Sequence, residues 1–596
     1  MPVPPGFTWI AQNAPSRFLL PAGTTYVALR LLRELQVLAL PTWVNTIAYI
    51  LSIPGAFALS IVYRDWRDAR AAVARGAVLA PMVSYSRFGA MDIVEGLVET
   101  YSKGYTGAGI ISEKHKTFGN TMTLSIFWDR RVETIEPLHI KTMLATQFNS
   151  HPKGKTFNAL VKSILGTGVF ASDGEIWKYG FLASMVFVPT EILLNRFHRS
   201  MTRPYFTKER ISHFDNFDRH AEDALALGKA RLDAGYPIDF QDLVSRFTLD
   251  SATEFLFGKD VQSLSAGLIY PPNTPFASTS EVGKDHPSNL FAQAFLESQA
   301  ATASRFFFGG LWRLREFWTD EVKKHMRVCD AYIEPILNEA LARKRERKEQ
   351  KGEAEPEEGE TLLDYLVNAT EDKTLIRDEI VNIMIAGRDT HPDVLQRLRE
   401  EILTKIGTSR RPAFEDMRDM KYLRAFINET LRLYPPVPFN MRSTGEPVVW
   451  PGVNGGPPIY IPAGIRTPYS LILMQRRKDL WGPDAEFFDP DRFLDERLHK
   501  YLTPNSFIFV PFNAGPRICL GQQFAYNEVS FFLIKLLQKF STFNLAEDVQ
   551  KMPPAEWRNA EGRQALERVM IRSQMTMYVE DGLWVRMGEA PSAQDA

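Results

Sequence analysis

Residues 511–521 read Pro-Phe-Asn-Ala-Gly-Pro-Arg-Ile-Cys-Leu-Gly, and the reading of the whole chain turns on them. Gly515 and Gly521 permit tight turns and a close approach of backbone to a flat ligand. Pro511 and Pro516 stiffen the segment. Cys519 stands just ahead of an apolar helical stretch that begins near Gln522. At a helix start, unpaired N–H groups and the helix dipole favour a thiolate. Arg517 lies close enough in sequence to pair with an anionic group of the same ligand. A lone cysteine is more commonly a buried, inert one. The Phe-x-x-Gly-x-Arg-x-Cys-x-Gly spacing argues instead for a stiff loop that presents one thiolate to an electropositive partner.

Three further motifs lie upstream in order. They are Ala-Gly-Arg-Asp-Thr at 386–390, Glu-Thr-Leu-Arg at 429–432 and Phe-Asp-Pro-Asp-Arg-Phe at 488–493. With the Cys loop, these four segments resemble the cytochrome P450 superfamily. The resemblance implies that Phe512, Gly515, Arg517, Cys519 and Gly521 form a haem-binding signature, with Cys519 the proximal ligand of the iron of haem b. Glu429 and Arg432, three apart on one helix face, would join Arg492 in a structural triad behind the haem. Arg442 and Arg517 would hold the propionates, a role suited to the planar guanidinium fork. Trp177 and Arg199 would contact a propionate as well. Gly387, Asp389 and Thr390 would open the central helix to oxygen and relay protons.

Two places depart from the family pattern. The expected Trp-x-x-x-Arg is interrupted after Trp177-Lys178, and removing residues 179–196 restores Trp-Lys-Phe-His-Arg. That insertion reads as a retained short intron. Immediately after Thr390 the chain reads His391-Pro392. Proline disfavours helical geometry at the preceding residue, so the central helix is expected to end there. Roughly fourteen residues, about four turns, would be absent. Both departures predict that the chain as written holds haem poorly or turns over slowly.

Around the motifs, helical periodicity prevails, as in AYIEPILNEALARKR, PDVLQRLREEILTKI and YNEVSFFLIKLLQKF. Strand-like pieces are short: EPVVW, PIYIP and MTMYV. The expected fold is mainly α with a minor β-sheet region, the cytochrome P450 fold by resemblance, preceded by an N-terminal transmembrane helix. Residues 343–360 pass from a basic run to an acidic one and read as a solvated helix end and loop. A Gly-Thr-Gly at 166–168 lacks the rest of a phosphate loop. The second cysteine, Cys329, sits in a charged helical context and reads as a bystander. Two distant cysteines give neither a disulfide framework nor a zinc cluster.

At 45% apolar and 24% charged residues the chain is globular, and a net charge of -1 with no basic stripe excludes a nucleic-acid partner. Residues 35–63 carry no charge, enough for a bilayer-crossing helix, with Pro54 inside it. This divides the chain into an anchor region at 1–63, with a span at about 37–63, and a haem domain at 64–596. An earlier apolar patch, FLLPAGTTYVALRLL, reads as interfacial. Arginines after the span lean towards a cytoplasmic body, in a single-pass arrangement at the endoplasmic reticulum.

The resemblance is greatest to fungal microsomal n-alkane and fatty-acid hydroxylases. It implies insertion of one oxygen atom from O2 into an apolar substrate. No flavin or nicotinamide domain is visible, so electrons are expected from a separate NADPH-dependent flavoprotein reductase on the same membrane. Two other readings are a haem-deficient, non-catalytic variant and a family member that rearranges peroxides, the latter disfavoured by Asp389-Thr390.

Overall fold

Helix accounts for most of the chain, as the apolar periodicity predicts. The structure, a computed structural model, describes residues 3–38, 40–102, 104–106, 109–166, 173, 214–277, 286–351 and 393–591. The principal helices are α1 (Pro5–Ala14), α2 (Leu20–Glu34), α3 (Thr42–Val73), α4 (Gly154–Leu165), α5 (Asp215–Asp233) and α6 (Phe240–Phe257). They continue with α7 (Pro287–Phe308), α8 (Glu321–Lys351), α9 (Asp393–Lys405), α10 (Lys421–Leu433) and α11 (Gln522–Lys539).

α11 is buried on nearly every side, through Tyr526, Phe531, Phe532, Ile534 and Leu537. A helix that is apolar all round belongs in the middle of a bundle, and α11 packs there among α5, α9 and α10. α10 is one-sided, burying Leu423, Phe426, Ile427 and Leu433 in or beside that core. Its start is held by Glu401 of α9, whose carboxylate accepts the N–H groups of Tyr422 and Leu423 at 3.0 and 2.8 Å and so satisfies donors that a helix start leaves open.

The sheets are small. β1 (Thr121–Ile126), β2 (Asp129–Thr134), β4 (Phe439–Ser443) and β7 (Arg466–Ser470) form one sheet in the order β1-β2-β7-β4. β2 and β7 run parallel; the other two pairs are antiparallel. β3 (Ile238–Asp239), β8 (Phe540–Leu545) and β11 (Trp584–Glu589) form a second sheet. β5 (Val448–Trp450) pairs with β6 (Ile459–Ile461), and β9 (Ile571–Ser573) with β10 (Met577–Val579). The β1–β2 hairpin turns through Phe127 and Trp128, both with positive φ of 48° and 62°, the backbone that a two-residue hairpin turn requires.

One bound shifts: the apolar helix, expected at about 37–63, begins later and runs on past it. Pro41 precedes α3, which then runs unbroken from Thr42 through Pro54 to Val73. The boundary expected at 63/64 thus falls inside one helix, because Arg64, Asp65, Arg67 and Asp68 are all helix-compatible and are paired. Arg67 meets Asp68 at 2.8 Å, and Arg130 of β2 meets Asp65 and Asp68. Cys329, read as a bystander in a charged helical context, is fully buried on α8 in a core shared with α4 and α7. Gly166, first of the Gly-Thr-Gly set aside as a phosphate loop, ends α4 with φ 56° and donates its N–H to the Lys162 carbonyl at 2.9 Å. α8 continues the basic run as helix to Lys351; residues 352–360 lie outside the described residues.

Candidate functional site

The Cys loop closes on itself before α11 begins. Asn513 takes a positive φ of 65° and donates its N–H to the Val510 carbonyl at 2.9 Å. Gly515 has φ 66°, and a Cβ there would meet the Leu144 carbonyl oxygen at 1.9 Å. Only glycine fits. A short 3-10 turn covers Gly515–Arg517, after which the Cys519 N–H donates to the Phe512 carbonyl at 2.9 Å. The Phe512 ring packs 5.3 Å from Tyr526 of α11, pinning the loop to the core. Gly521 differs from expectation: its φ of -81° and ψ of 11° are open to any residue. Cys519 is half-buried, just ahead of α11 and not joined to Cys329.

Beside the loop lies a buried cationic group. Arg442 on β4 is fully buried, and none of its Nε, Nη1 and Nη2 atoms has a hydrogen-bond partner in the described structure. Burial pulls its pKa below the ordinary value. The Tyr469 ring system, whose hydroxyl donates to Asn513 Oδ1 at 3.2 Å, links this arginine electrostatically to the Cys loop. Lys153, also buried, donates from Nζ to Asn440 Oδ1 at 3.0 Å. Its pKa falls well below the ordinary value, through burial first and then the Arg442 and Arg517 guanidiniums. Arg517 pairs with Asp173 at 3.0 Å, and the same carboxylate accepts the N–H groups of Lys153 and Gly154, each at 2.6 Å. His151 is held neutral: burial and Arg442 lower its pKa, Nε2 accepts from Trp450 Nε1 at 3.0 Å, and Nδ1 lies 2.8 Å from the Gln147 carbonyl. Two guanidiniums and Lys153, whose charged form they disfavour, therefore face one carboxylate among the described residues. Such a surplus in a low-dielectric setting calls for an anion.

A second arginine cluster lies between α10 and the 488–493 segment. Glu429 bonds Arg432 in bidentate fashion at 2.6 and 2.8 Å and reaches Arg492 Nε at 3.5 Å, all three residues fully buried. Arg432 also donates to the Gln475 carbonyl at 2.7 Å, and Arg492 to the Trp481 carbonyl at 2.8 Å. Glu429 accepts in addition from the Asp489 N–H at 2.9 Å. The structure thus brings the three expected partners together.

Trp177, Arg199, Gly387, Asp389 and Thr390 lie outside the described residues, as do the insertion at 179–196 and His391-Pro392. Lys153, His151 and Asp173 were not singled out from sequence. The available signal was slight: a lysine between Pro152 and a glycine, Gly154, whose φ is 87° and whose Cβ would meet Ser443 Oγ at 2.6 Å.

Comparison with known proteins agrees with this arrangement. A family model described as Cytochrome P450 matches residues 107–563. The cytochrome P450 monooxygenase himC of Aspergillus japonicus is 33% identical over 464 residues, covering 75% of this chain and 74% of that protein. Cytochrome P450 52A6 of Candida tropicalis is 33% identical over 485 residues, 76% of this chain and 81% of its own. Cytochrome P450 52-M1 of Starmerella bombicola is 34% identical over 452 residues, 71% and 77% respectively. A match of this extent, over a chain that carries the Cys loop and its cationic neighbours, makes this protein a member of the cytochrome P450 family, a haem-dependent monooxygenase.

Proposed function

We propose that Cys519 is the proximal thiolate ligand of haem b and that Arg442, Arg517 and Lys153 hold its propionates. The residues fit the group. Arg442 offers buried donors with no acceptor among the described residues, and a two-carboxylate ligand would supply negative charge there. Gly515 lets the loop lie flat, and the start of α11 favours sulfur in its anionic form. When bound, the haem supplies activation of O2 and transfer of one oxygen atom, chemistry that thiolate ligation favours.

The chain's own residues do the rest. The Phe512 carbonyl bond to the Cys519 N–H fixes the sulfur's backbone, and the Glu429–Arg432–Arg492 cluster stiffens the wall behind it. Trp177 and Arg199 are assigned to a propionate. Asp389 and Thr390 are assigned to delivery of the proton that oxygen activation consumes, and Gly387 to making room for oxygen in the central helix. Residues 64–596 form the haem domain and residues 1–63 the anchor region, joined through α3 without a break. α3 is long and apolar enough to cross a membrane, and we assign the body to the cytoplasmic face of the endoplasmic reticulum from the arginines that follow the span. There an NADPH-dependent flavoprotein reductase delivers electrons. Similarity to the Cytochrome P450 52 proteins supports an n-alkane or fatty acid as substrate.

The observation that carries this reading is Arg442, a buried cation with no hydrogen-bond acceptor among the described residues. The test is the carbon-monoxide difference spectrum of the reduced, full-length protein in membranes. A thiolate-type spectrum, diminished by the departures at 179–196 and after Thr390, is expected for the parent and its loss for Cys519→Ser, followed by slow formation of hydroxylated product from a long-chain fatty acid. A parent with no such spectrum, or a Cys519→Ser protein that retains it, overturns the assignment.

A further inference from the structure

Hydropathy singles out α3, yet the structure gives this helix a partner. Residues 5–34 run as α1, a π-turn over Pro15–Leu19 and α2 without leaving helical geometry, Ala14 and Leu20 both being αR. The chain then reverses. Gln36 takes φ 58°, and the N–H groups of Val37 and Leu38 both return to the Leu32 carbonyl, at 3.0 and 3.1 Å. α2 consequently lies antiparallel to α3, with the Tyr26 and Tyr49 rings 6.1 Å apart.

Both open ends of this helical hairpin are pinned to the body. At the first, Gly6 is buried, its N–H donating to the Phe317 carbonyl at 2.9 Å, and a Cβ there would meet the Phe317 ring at 2.2 Å. Phe7 meets Trp318 edge-on at 5.7 Å, and Arg313 donates to Gln12 Oε1 at 2.8 Å. At the second, Arg64 donates to the Trp128 carbonyl at 3.0 Å, and Arg130 pairs with Asp65 and Asp68.

The outer surface is apolar: Leu20, Val27 and Leu31 on α2 and Trp43, Ile50 and Leu59 on α3 are each more than half exposed. Water is a poor solvent for such a surface; a bilayer is a good one. The charges sort to the ends. Arg30, Arg33 and Glu34 lie at the closed end, where Arg30 pairs with Glu34 at 3.0 Å. The Arg17 guanidinium reaches back to within 5.5 Å of the Trp9 ring, towards the open end, as a snorkelling side chain would. Residues 45–63 of α3 are free of charge and span about 28 Å at 1.5 Å per residue, close to the ~30 Å of a hydrocarbon core. A hairpin that stopped part-way would leave Arg30, Arg33 and Glu34 in hydrocarbon, their costliest setting.

We propose that this hairpin crosses the membrane twice, so that the start of α1 and the catalytic body share one side while the turn after α2 emerges on the other. This replaces the single crossing expected from hydropathy alone. The inference rests on the membrane reading of α3 but not on the haem assignment.

The test uses the full chain in sealed microsomes, with one epitope ahead of Val3, one inserted after Leu38 and one after Glu589, each in a separate protein. External protease is expected to remove the first and third epitopes and to reach the second only after detergent. Protection of the first epitope while the third is cut would overturn the proposal in favour of one crossing. Access to all three before detergent would overturn it in favour of a hairpin that does not cross. Release of the chain by alkaline carbonate would remove the membrane reading itself.

Discussion

The two buried arginine clusters differ in one respect, and the difference separates architecture from ligand site. Around Glu429, both guanidiniums are satisfied by the carboxylate and by backbone carbonyls, so nothing further is required. Around Arg442, an equally buried guanidinium has no acceptor in the described structure, while Lys153 and Arg517 add positive charge to its surroundings. Burying charge is costly in both places. In the first the protein offsets the cost itself; in the second the offset is left to a bound anion. A buried cation without a partner is therefore a stronger pointer to a ligand than a buried cation alone.

The largest effect should come from breaking the self-contained cluster. Glu429→Ala leaves Arg432 and Arg492 buried without their carboxylate, and losing one partner of a buried pair costs about 3–5 kcal/mol. Denaturant unfolding should show a loss of that order with or without haem, together with poor recovery of folded protein. An intermediate effect, opposite in kind, is expected at the other cluster. Arg442→Met removes a charge that the haem-free protein cannot satisfy, so haem-free stability should hold or rise. Haem retention, measured by transfer to a scavenging apoprotein, should fall by roughly one to two orders of magnitude, the equivalent of about 1.5–3 kcal/mol for charge-assisted hydrogen bonds. If Arg442→Met lowered haem-free stability as Glu429→Ala does, the contrast between the clusters would disappear.

How much of this was legible in sequence depended on whether the signal was local. The Cys loop carries its geometry in its own residues, Gly515 above all, and the long apolar periods of α10 and α11 announce buried helices. The β1–β2 hairpin was not legible. Thr121, Thr123 and Ser125 alternate with Met122, Leu124 and Ile126 and so suggest one wet face, yet every position of β1 is buried. Long-range partners cover the polar face: Thr123 donates to the Ala80 carbonyl at 3.1 Å, and Thr121 meets His139 Nδ1 at 2.8 Å. Lys153 stayed hidden for the same reason, since its companions Arg442 and Arg517 lie far away in sequence. The seating of α1 likewise depends on contacts of Gly6 and Phe7 with Phe317 and Trp318 that no periodicity reveals.

At pH 5 the smallest effect belongs to a third buried ionisable group, which the fold treats in yet another way and whose effect grows as pH rises. Glu528 on α11 has no cationic partner among the described residues: its carboxyl accepts from Ser251 Oγ at 2.8 Å, and burial pushes its pKa up to about 8. In the folded protein at pH 7 it is therefore mostly neutral, whereas in the unfolded chain it ionises near pH 4.3. The folded state then holds a proton that the unfolded state has lost. The stabilising contribution is full below the unfolded pKa, declines as pH rises and is gone above pH 8. Glu528→Gln keeps a neutral side chain of similar shape at every pH. At pH 5 the variant should match the parent within about 0.5 kcal/mol, the usual range for a substitution that breaks no feature. Between pH 5 and 8 the parent should lose stability relative to the variant, at a rate on the order of 1 kcal/mol per pH unit. Parallel stability curves across that range would mean that Glu528 ionises in the folded protein. Neutralisation would then not be how this core accommodates a carboxyl without a cation.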